Sequence, residues 1–251
     1  MVQWQVMSRC LVAADLHSNA RAFEAVLADA ARGKGFDELW VLGDIVGYGP
    51  HPEECIRLVR DYPHVCVGGN HDLGVLGRID LARFNPEAAL ACLWTRGRLS
   101  TEAHAFLRTL PLRLERAPFL LVHGSPRDPV WEYVLSEGEA RDMPAYCEAT
   151  HCLVGHTHRP AVYRMDGGPR GSMGAVVDGT VLELGGGHFI INPGAVGQPR
   201  DGDPRAAYAI LDTEESMIAF HRVAYDVDGT TEAMRRGGLP EWLAARLHLG
   251  L

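Results

Sequence analysis

The stretch CLVGHTHRPAVY, Cys152 to Tyr163, decides how the chain is read. A short apolar run ends in Gly155 and then delivers His156 and His158 with one residue between them. On extended backbone, residues two apart project from the same face, so the two imidazoles point the same way. One such pair suits a satisfied core as well as a held ion. Matching partners elsewhere in the chain decide between the two.

Four other runs end in the same manner. RCLVAA leads to Asp15-Leu16-His17, ELWVLG to Asp44, HVCVGG to Asn70-His71-Asp72, and FLLV to His123-Gly124. Each is short, rich in Val and Leu, and bounded by glycine or polar residues, as buried strands are. Helical patterns lie between several of them. Phe23, Val26, Leu27 and Ala30 recur at i, i+3, i+4, i+7 behind the cap candidates Ser18 and Asn19, and Ala103, Phe106, Leu107 and Leu110 do so ahead of Pro111. Alternating strands and helices bring strand ends, and with them these polar residues, to one edge of a sheet.

After residue 160 the pattern changes. MGAVVDG, TVLELG, HFIINPG, AAYAILD and MIAFHRVAYD follow in close succession and read as strands joined by hairpins. The expected architecture is α/β: a four-layer α-β-β-α sandwich of two mixed β-sheets flanked by helices. It is expected as a single domain over residues 1–251, with C-terminal helices at about 230–247. No segment reads as a linker.

Composition narrows the function. The 251 residues are 47% hydrophobic and 22% charged, ordinary for a globular fold. A net charge of -8 argues against a general nucleic-acid or anionic-membrane surface, which needs clustered Lys and Arg. The N-terminal run is broken by Ser8 and Arg9 and does not read as a signal peptide, and no stretch approaches the length of a membrane span. Six cysteines without a C-x-x-C pair favour reduced, mostly buried thiols and a cytoplasmic location. A homo-oligomer is left open.

Taken singly, Asp15 suits a helix cap, Asp44 a Gly-Asp turn and Asn70 a left-handed turn. Together, several buried imidazoles and carboxylates are costly to desolvate unless a cation sits among them. Mixed nitrogen and oxygen donors without thiolate suit Mn, Fe, Zn or Ni, manganese first, and argue against a structural zinc. Asp15, His17, Asp44, Asn70, His123, His156 and His158 supply more ligands than one ion with open positions takes, so two divalent ions are expected.

In that order, DLH, GDIVGYGP, GNHD, VHGSP and GHTH resemble the calcineurin-like metallophosphoesterase superfamily. Within it, a small bacterial phosphodiesterase-like group has similar GDIVGYGP and NPGSVGQPR stretches. The motifs span residues 15–158, and NPGAVGQPRDGDPRAAYAIL carries the similarity to about residue 211. The resemblance implies that Asp15, His17 and His158 hold one metal, that Asn70, His123 and His156 hold the other, and that Asp44 bridges them. It makes His71 the catalytic histidine and Asp72 the carboxylate that orients it. The implied activity is hydrolysis of phosphodiester bonds, or monoesters, in a small phosphate-ester substrate by a hydroxide bridging the two ions, without a covalent phosphoenzyme. A non-catalytic phosphate-binding or scaffold protein on the same fold is the alternative, and the filled ligand set argues against it.

Departures and rival motifs bear on substrate. Gly43-Asp44 is followed by Ile-Val-Gly-Tyr and not by the Asp-Arg-Gly segment of protein Ser/Thr phosphatases, and Ala195 stands where related sequences often have Ser. Tyr48, Arg127, Asn192 and Arg200 lie in loops near the motifs, where a substrate contact competes with a turn or surface role. YDVDGTT, residues 225–231, matches the nucleophile motif of haloacid-dehalogenase phosphatases, but too little chain follows it to form their domain, so it is expected as a strand-to-helix turn. LGGGH at 184–188 is likewise expected as a turn. His51, His64, His104, His151, His188 and His221 match no motif.

Overall fold

The computed structural model describes residues 9–166 and 174–251. Its strands are β1 (Arg9–Ala13), β2 (Glu38–Leu42), β3 (His64–Val67), β4 (Arg113–Arg116), β5 (Phe119–Val122), β6 (His151–Leu153), β7 (Ala161–Arg164), β8 (Val181–Glu183), β9 (Phe189–Asn192), β10 (Ala206–Asp212) and β11 (Met217–Val223). They form two mixed sheets. The first runs β3-β2-β1-β10-β11-β8, with β1, β2 and β3 parallel and the rest antiparallel. The second runs β4-β5-β6-β9-β7, with β5, β6 and β9 parallel and antiparallel edges.

Alternation along each strand divides the apolar residues among layers. Val12, Trp40 and Leu42 of the first sheet meet Phe119, Leu121, Leu153 and Ile191 of the second in one buried cluster. The intervening residues Leu11, Leu39 and Val41 face outward and pack on helices α1 (Ala20–Arg32) and α2 (Pro52–Arg60). On the second sheet, Leu120, Val122, Cys152 and Ile190 pack instead under residues 134–147. Strands covered on both faces carry apolar residues at successive positions, which is why these runs lack a polar alternation. The result is the expected α-β-β-α sandwich.

The helices follow their sequence signals. Asn19 caps α1 by accepting from Ala22 N at 3.3 Å, and Phe23, Val26 and Leu27 are buried beneath it. Helices α3 (Asn70–Leu76) and α4 (Pro86–Arg96) precede α5 (Thr101–Thr109), where Ser100 Oγ accepts from Ala103 N at 3.1 Å. A short α6 (Glu137–Arg141) covers the second sheet, and α7 (Val227–Arg236) and α8 (Glu241–Ala245) end the chain. Among the described residues no helix is long and apolar enough to cross a membrane.

The succession of hairpins expected after residue 160 holds only for β10 and β11. Consecutive β8 and β9 enter different sheets: β9 is wholly buried between β6 and β7, whereas β8 is a half-exposed edge beside β11. Residues 173–179 give an isolated bridge at Ala175 to Ala161 and no strand, with Met173 outside the described residues.

Phe23 is fully buried between α1 and the first sheet. Phe23→Ala should lower stability by about 3–5 kcal/mol. Chemical denaturation measures this, and metal content of the folded variant should stay unchanged.

Candidate metal centre

Five strands deliver polar residues from their carboxyl ends to one place. Parallel β1, β2 and β3 lead to Asp15 and His17, to Asp44, and to Asn70 and His71, while parallel β5 and β6 lead to His123 and to His156 and His158. Main-chain bonds lock the loops together: Asp15 N donates to Gly43 O at 3.1 Å, His17 N to Asp44 O at 2.9 Å and Gly155 N to His123 O at 2.8 Å. One ligand atom each from Asp15, His17, Asp44 and His158 lies within 4.8 Å of the others, and Asp44, His123 and His156 form a second such group. All of these residues are buried, and Asp44 belongs to both groups.

The four imidazoles share one polarity. The outer nitrogen of each meets a main-chain carbonyl: His17 Nδ1 with Val46 O at 3.3 Å, His123 Nδ1 with Leu42 O at 2.8 Å, His158 Nδ1 with Gln198 O at 2.6 Å, and His156 Nε2 with Trp131 O at 3.2 Å. A carbonyl only accepts, so each outer nitrogen carries a proton, and in the neutral ring the inner one is left with a lone pair. Those inner atoms converge. His17 Nε2 lies 3.1 Å from His158 Nε2, and His123 Nε2 lies 3.1 Å from His156 Nδ1 and 3.0 Å from Asn70 Oδ1. Asp44 Oδ1 accepts from His71 N at 2.9 Å. Its Oδ2, 3.6 Å from His17 Nε2 and 3.4 Å from His123 Nε2, has no hydrogen-bond partner among the described residues. Converging lone pairs and a carboxylate oxygen repel one another unless a cation or a proton lies between them. The donor set therefore fits metal ions.

The backbone is strained where the ligands sit. Asp15, His17, Asp44, His156 and His158 all have positive φ, between 45° and 65°, a region that L-residues occupy only when their surroundings hold them there. Gly69 is one such support, since a Cβ at that position would overlap Asp44 Oδ1.

Charges are balanced through one proton. Burial pushes Asp15 up to about 7, against the pull of His123. Burial acts likewise on Asp44, but His123, His71 and His17 outweigh it and hold that carboxyl well below its usual range. Burial drives His17 and His158 well below the ordinary imidazole value and His156 to about 3. Burial also opposes charge on His123, yet Asp44 raises it to about 9. A proton on His123 thus answers Asp44, and a divalent ion has to displace it.

The family model of the calcineurin-like phosphoesterase superfamily domain matches residues 8–216. The chain belongs to this superfamily. Uncharacterized protein MJ0912 of Methanocaldococcus jannaschii is 39% identical over 250 residues, covering 98% of this chain and 99% of that one. The crystal structure of a metallophosphoesterase from Sphaerobacter thermophilus is 44% identical with a TM-score of 0.88, covering 98% of this chain and all of that one. Phosphodiesterase YfcE of Escherichia coli is 26% identical over 223 residues, 86% of this chain and 94% of its own. The superfamily implies divalent metal ions, and the clustered donors are where they would bind.

A cavity of about 240 Å³ opens over the cluster. Asp44, Asn70, His71, His156 and His158 form its floor, and Tyr48, Phe84, Trp131 and Tyr133 its walls, with Arg83 and Arg200 at the edges. His71 packs between Tyr48, at 4.2 Å between ring centroids, and Phe84, at 5.1 Å. Asp72 makes its hydrogen bonds with the main chain: Oδ1 accepts from Val46 N at 3.1 Å and Oδ2 from Gly69 N at 2.9 Å. Instead of a direct bond to Asp72, the His71 ring finds Cys92 Sγ, 3.5 Å from Nδ1.

Of the four loop candidates, Tyr48 and Arg200 reach the cavity. Arg127 instead pairs with Glu132, Nε to Oε1 at 3.0 Å, and Asn192 Nδ2 donates to Gly155 O at 2.6 Å, bracing the GHTH turn. Asp226 of the rival motif is the N-cap of α7, accepting from Gly229 N at 2.8 Å, and Asp228 is exposed. LGGGH is a turn, and His188 borders a different cavity beside His151, at the opposite ends of β5, β6 and β9. Trp131, Tyr133, Phe84 and Arg83 carried no motif, because wall residues need only present a ring or a charge from some loop.

Manganese reconstitution followed by elemental analysis should give two ions per chain, and fewer in Asp44→Ala. Loading metal-free protein at about pH 7.5 should release at least one proton. His123, near 9, is protonated at that pH and has to become neutral to bind a metal. Calorimetry in buffers of differing ionisation enthalpy counts the protons.

Proposed function

We propose that this chain hydrolyses phosphodiester bonds, with monoesters as a lesser substrate, at a dinuclear centre. Asp15, His17 and His158 would hold one ion, Asn70, His123 and His156 the other, and Asp44 both. The observation that carries this reading is at Asp44: its Oδ2 is buried without a hydrogen-bond partner among the described residues, and the residue is common to both ligand groups. The diester preference is supported by the kinship with phosphodiesterase YfcE and by the aromatic walls, which give both alcohol groups of a diester apolar surface. Manganese is the first ion to try, from the mixed donor set.

When bound, two divalent ions lower the pKa of water towards neutrality and neutralise charge that builds on the phosphoryl oxygens. The chain does the rest. Main-chain carbonyls fix the tautomers of the four ligand imidazoles, so the inner nitrogens stay available. Asp72 ties Gly69 to Val46 and thereby holds the turn that starts α3 against the Asp44 loop. It is a positioning residue, acting through the backbone that carries His71.

His71 is the group that would face the leaving oxygen, as a hydrogen-bond donor. Burial brings its pKa down to about 4, so it is neutral near pH 7. Burial and the charge on Asp44 push the Cys92 thiol up to about 12, so it keeps its proton and can donate to Nδ1. Nε2 then carries the ring's N–H and can stabilise charge on the leaving oxygen by hydrogen bonding, while the departing alcohol takes its proton from solvent.

Metal-depleted protein reloaded with manganese should cleave bis(p-nitrophenyl) phosphate faster than p-nitrophenyl phosphate. No hydrolysis of either, with both ions bound, would overturn the reading.

His71→Ala should retain its metals and lose rate according to the leaving group. A preorganised hydrogen-bond donor to charge that develops in the transition state is typically worth about 10²- to 10³-fold. An alkyl or ribose leaving oxygen carries its charge localised, whereas p-nitrophenolate spreads it into the ring and depends less on that hydrogen bond, so the loss should be much larger for the former. Equal losses would place His71 on the phosphoryl charge instead.

A further inference from the structure

The loop that follows His123 reaches across to a different ligand turn. His156 Nε2 donates to Trp131 O at 3.2 Å, and the Tyr133 ring stacks on the His156 ring, with centroids 4.2 Å apart and planes inclined by 18°. The other three imidazoles are supported from the interior: His17, His123 and His158 turn their outer nitrogens to carbonyls of the buried residues Val46, Leu42 and Gln198. His156 alone among the four takes its outer support from a surface loop, where Trp131 is half-buried and Tyr133 is 43% exposed.

That loop is braced from within and from outside. Gly124 N donates to Pro129 O at 2.8 Å, and Asp128 Oδ1 accepts from Val130 N at 3.0 Å and from Trp131 N at 3.1 Å. Glu132, between the two aromatic residues, accepts from Ser125 Oγ and from Arg127 Nε, so Arg127 has its place in this brace. Across the cavity, Phe84 meets the Trp131 ring edge-on at 5.1 Å between centroids, and the Arg83 guanidinium carbon lies 4.2 Å from the centroid of the Trp131 ring. The loop therefore presents one carbonyl and one flat ring, at set positions, to a single imidazole.

A ligand imidazole has to keep its plane as well as its direction, because the nitrogen lone pair lies in the ring plane. The torsion that turns a histidine ring is broad, so the plane is not fixed by the side chain itself. The Trp131 carbonyl restrains the direction of Nε2, and a stacked ring restrains the plane. We propose that Tyr133 is a positioning residue for His156, so that the ion held by Asn70, His123 and His156 depends on this loop and the ion held by Asp15, His17 and His158 does not. The proposal rests on the dinuclear reading above. It makes the two ions unequal: one is set by interior carbonyls, and the other is kept in place by a ring that also lines the substrate cavity. The role belongs to the face of the ring and not to its hydroxyl.

The test equilibrates manganese-loaded protein against graded free manganese and counts the bound ions by elemental analysis. Electron paramagnetic resonance distinguishes an isolated bound ion from a coupled pair. Tyr133→Ala should lose one ion at about tenfold or more higher free manganese than wild type, the scale on which groups that orient a ligand act, and should keep the other ion over the wild-type range. The signal of the coupled pair should then give way to that of an isolated ion. Tyr133→Phe, which keeps the ring and drops the hydroxyl, should behave as wild type. Both ions lost at wild-type concentrations, both shifted equally, or Tyr133→Phe shifted as far as Tyr133→Ala, each overturns the positioning role. If Tyr133→Ala does not fold, Tyr133→Leu, which has bulk but no flat face, gives the same comparison. Should wild type hold a single ion that Tyr133→Ala releases more easily, the stack stands and the dinuclear reading falls. Two ions in wild type with Tyr133→Ala unchanged give the reverse.

Discussion

A carboxylate oxygen buried without a hydrogen bond is the constraint on which the rest of the structure depends. Asp44 Oδ2 faces His17 and His123 and has no partner among the described residues, while Oδ1 is held by the His71 main chain. Left alone, an ionised buried carboxylate is prohibitively expensive. Its neighbours are arranged so that a cation, and not a neutral donor, answers it. The imidazoles around it turn one nitrogen outward to a carbonyl and the other inward, where His123 carries the proton that a metal ion has to displace. Gly69 comes close enough that no side chain fits between it and Asp44. The positive φ angles along the ligand loops are the cost of bringing these groups together, and the two packed sheets hold them there.

The two-sheet architecture makes this arrangement reachable. One sheet edge presents its polar residues along a line, which cannot surround a pair of ions. Here β1, β2 and β3 supply Asp15, His17, Asp44 and Asn70 from one side, and β5 and β6 supply His123, His156 and His158 from the other. Direct contacts across the gap, such as His17 with His158 and Asn70 with His123, show that the two edges close on each other. The apolar layer of Val12, Trp40, Leu121 and Ile191 fixes that spacing, so a repacked inter-sheet core would disturb the centre before it unfolded the chain.

Much of this was legible in the sequence, because strand ends are local. A run such as FLLV followed by His123, or CLVG followed by His156-Thr157-His158, states both the element and the group it carries. Asn19 announced a helix in the same way. One edge strand was harder to read: β4 is Arg-Leu-Glu-Arg, with one face in solvent, and shows no apolar run. Which sheet a strand joins is a long-range decision, and the separation of β8 from β9 has no local mark. The indirect link from Asp72 to His71 was hidden for a related reason, since adjacency in GNHD suggests a direct contact that the helical start of α3 turns into bonds with Gly69 and Val46. Asp226-Val-Asp-Gly-Thr shows the converse, a catalytic-looking string whose first aspartate caps a helix.

The cavity walls and the arginine edge belong to a different scale of organisation. A ligand must lie within bonding distance of its ion, so it is tied to a strand end and spelled in a motif. A residue that attracts or stacks on substrate works over several ångströms, and Arg83, Phe84, Trp131 and Tyr133 come from unrelated segments between the strands. Electrostatics still links the two scales. In the dinuclear reading the ions outweigh Asp15, Asp44 and Asp72 in charge, so the floor of the cavity is cationic although the protein is acidic. Arg83 and Arg200 extend that positive field outward along the edges. Field lines concentrated in a narrow, low-dielectric opening draw anions in and turn their phosphates towards the floor. The negative surface elsewhere then repels the same anions, which confines their approach to the opening over Asp44.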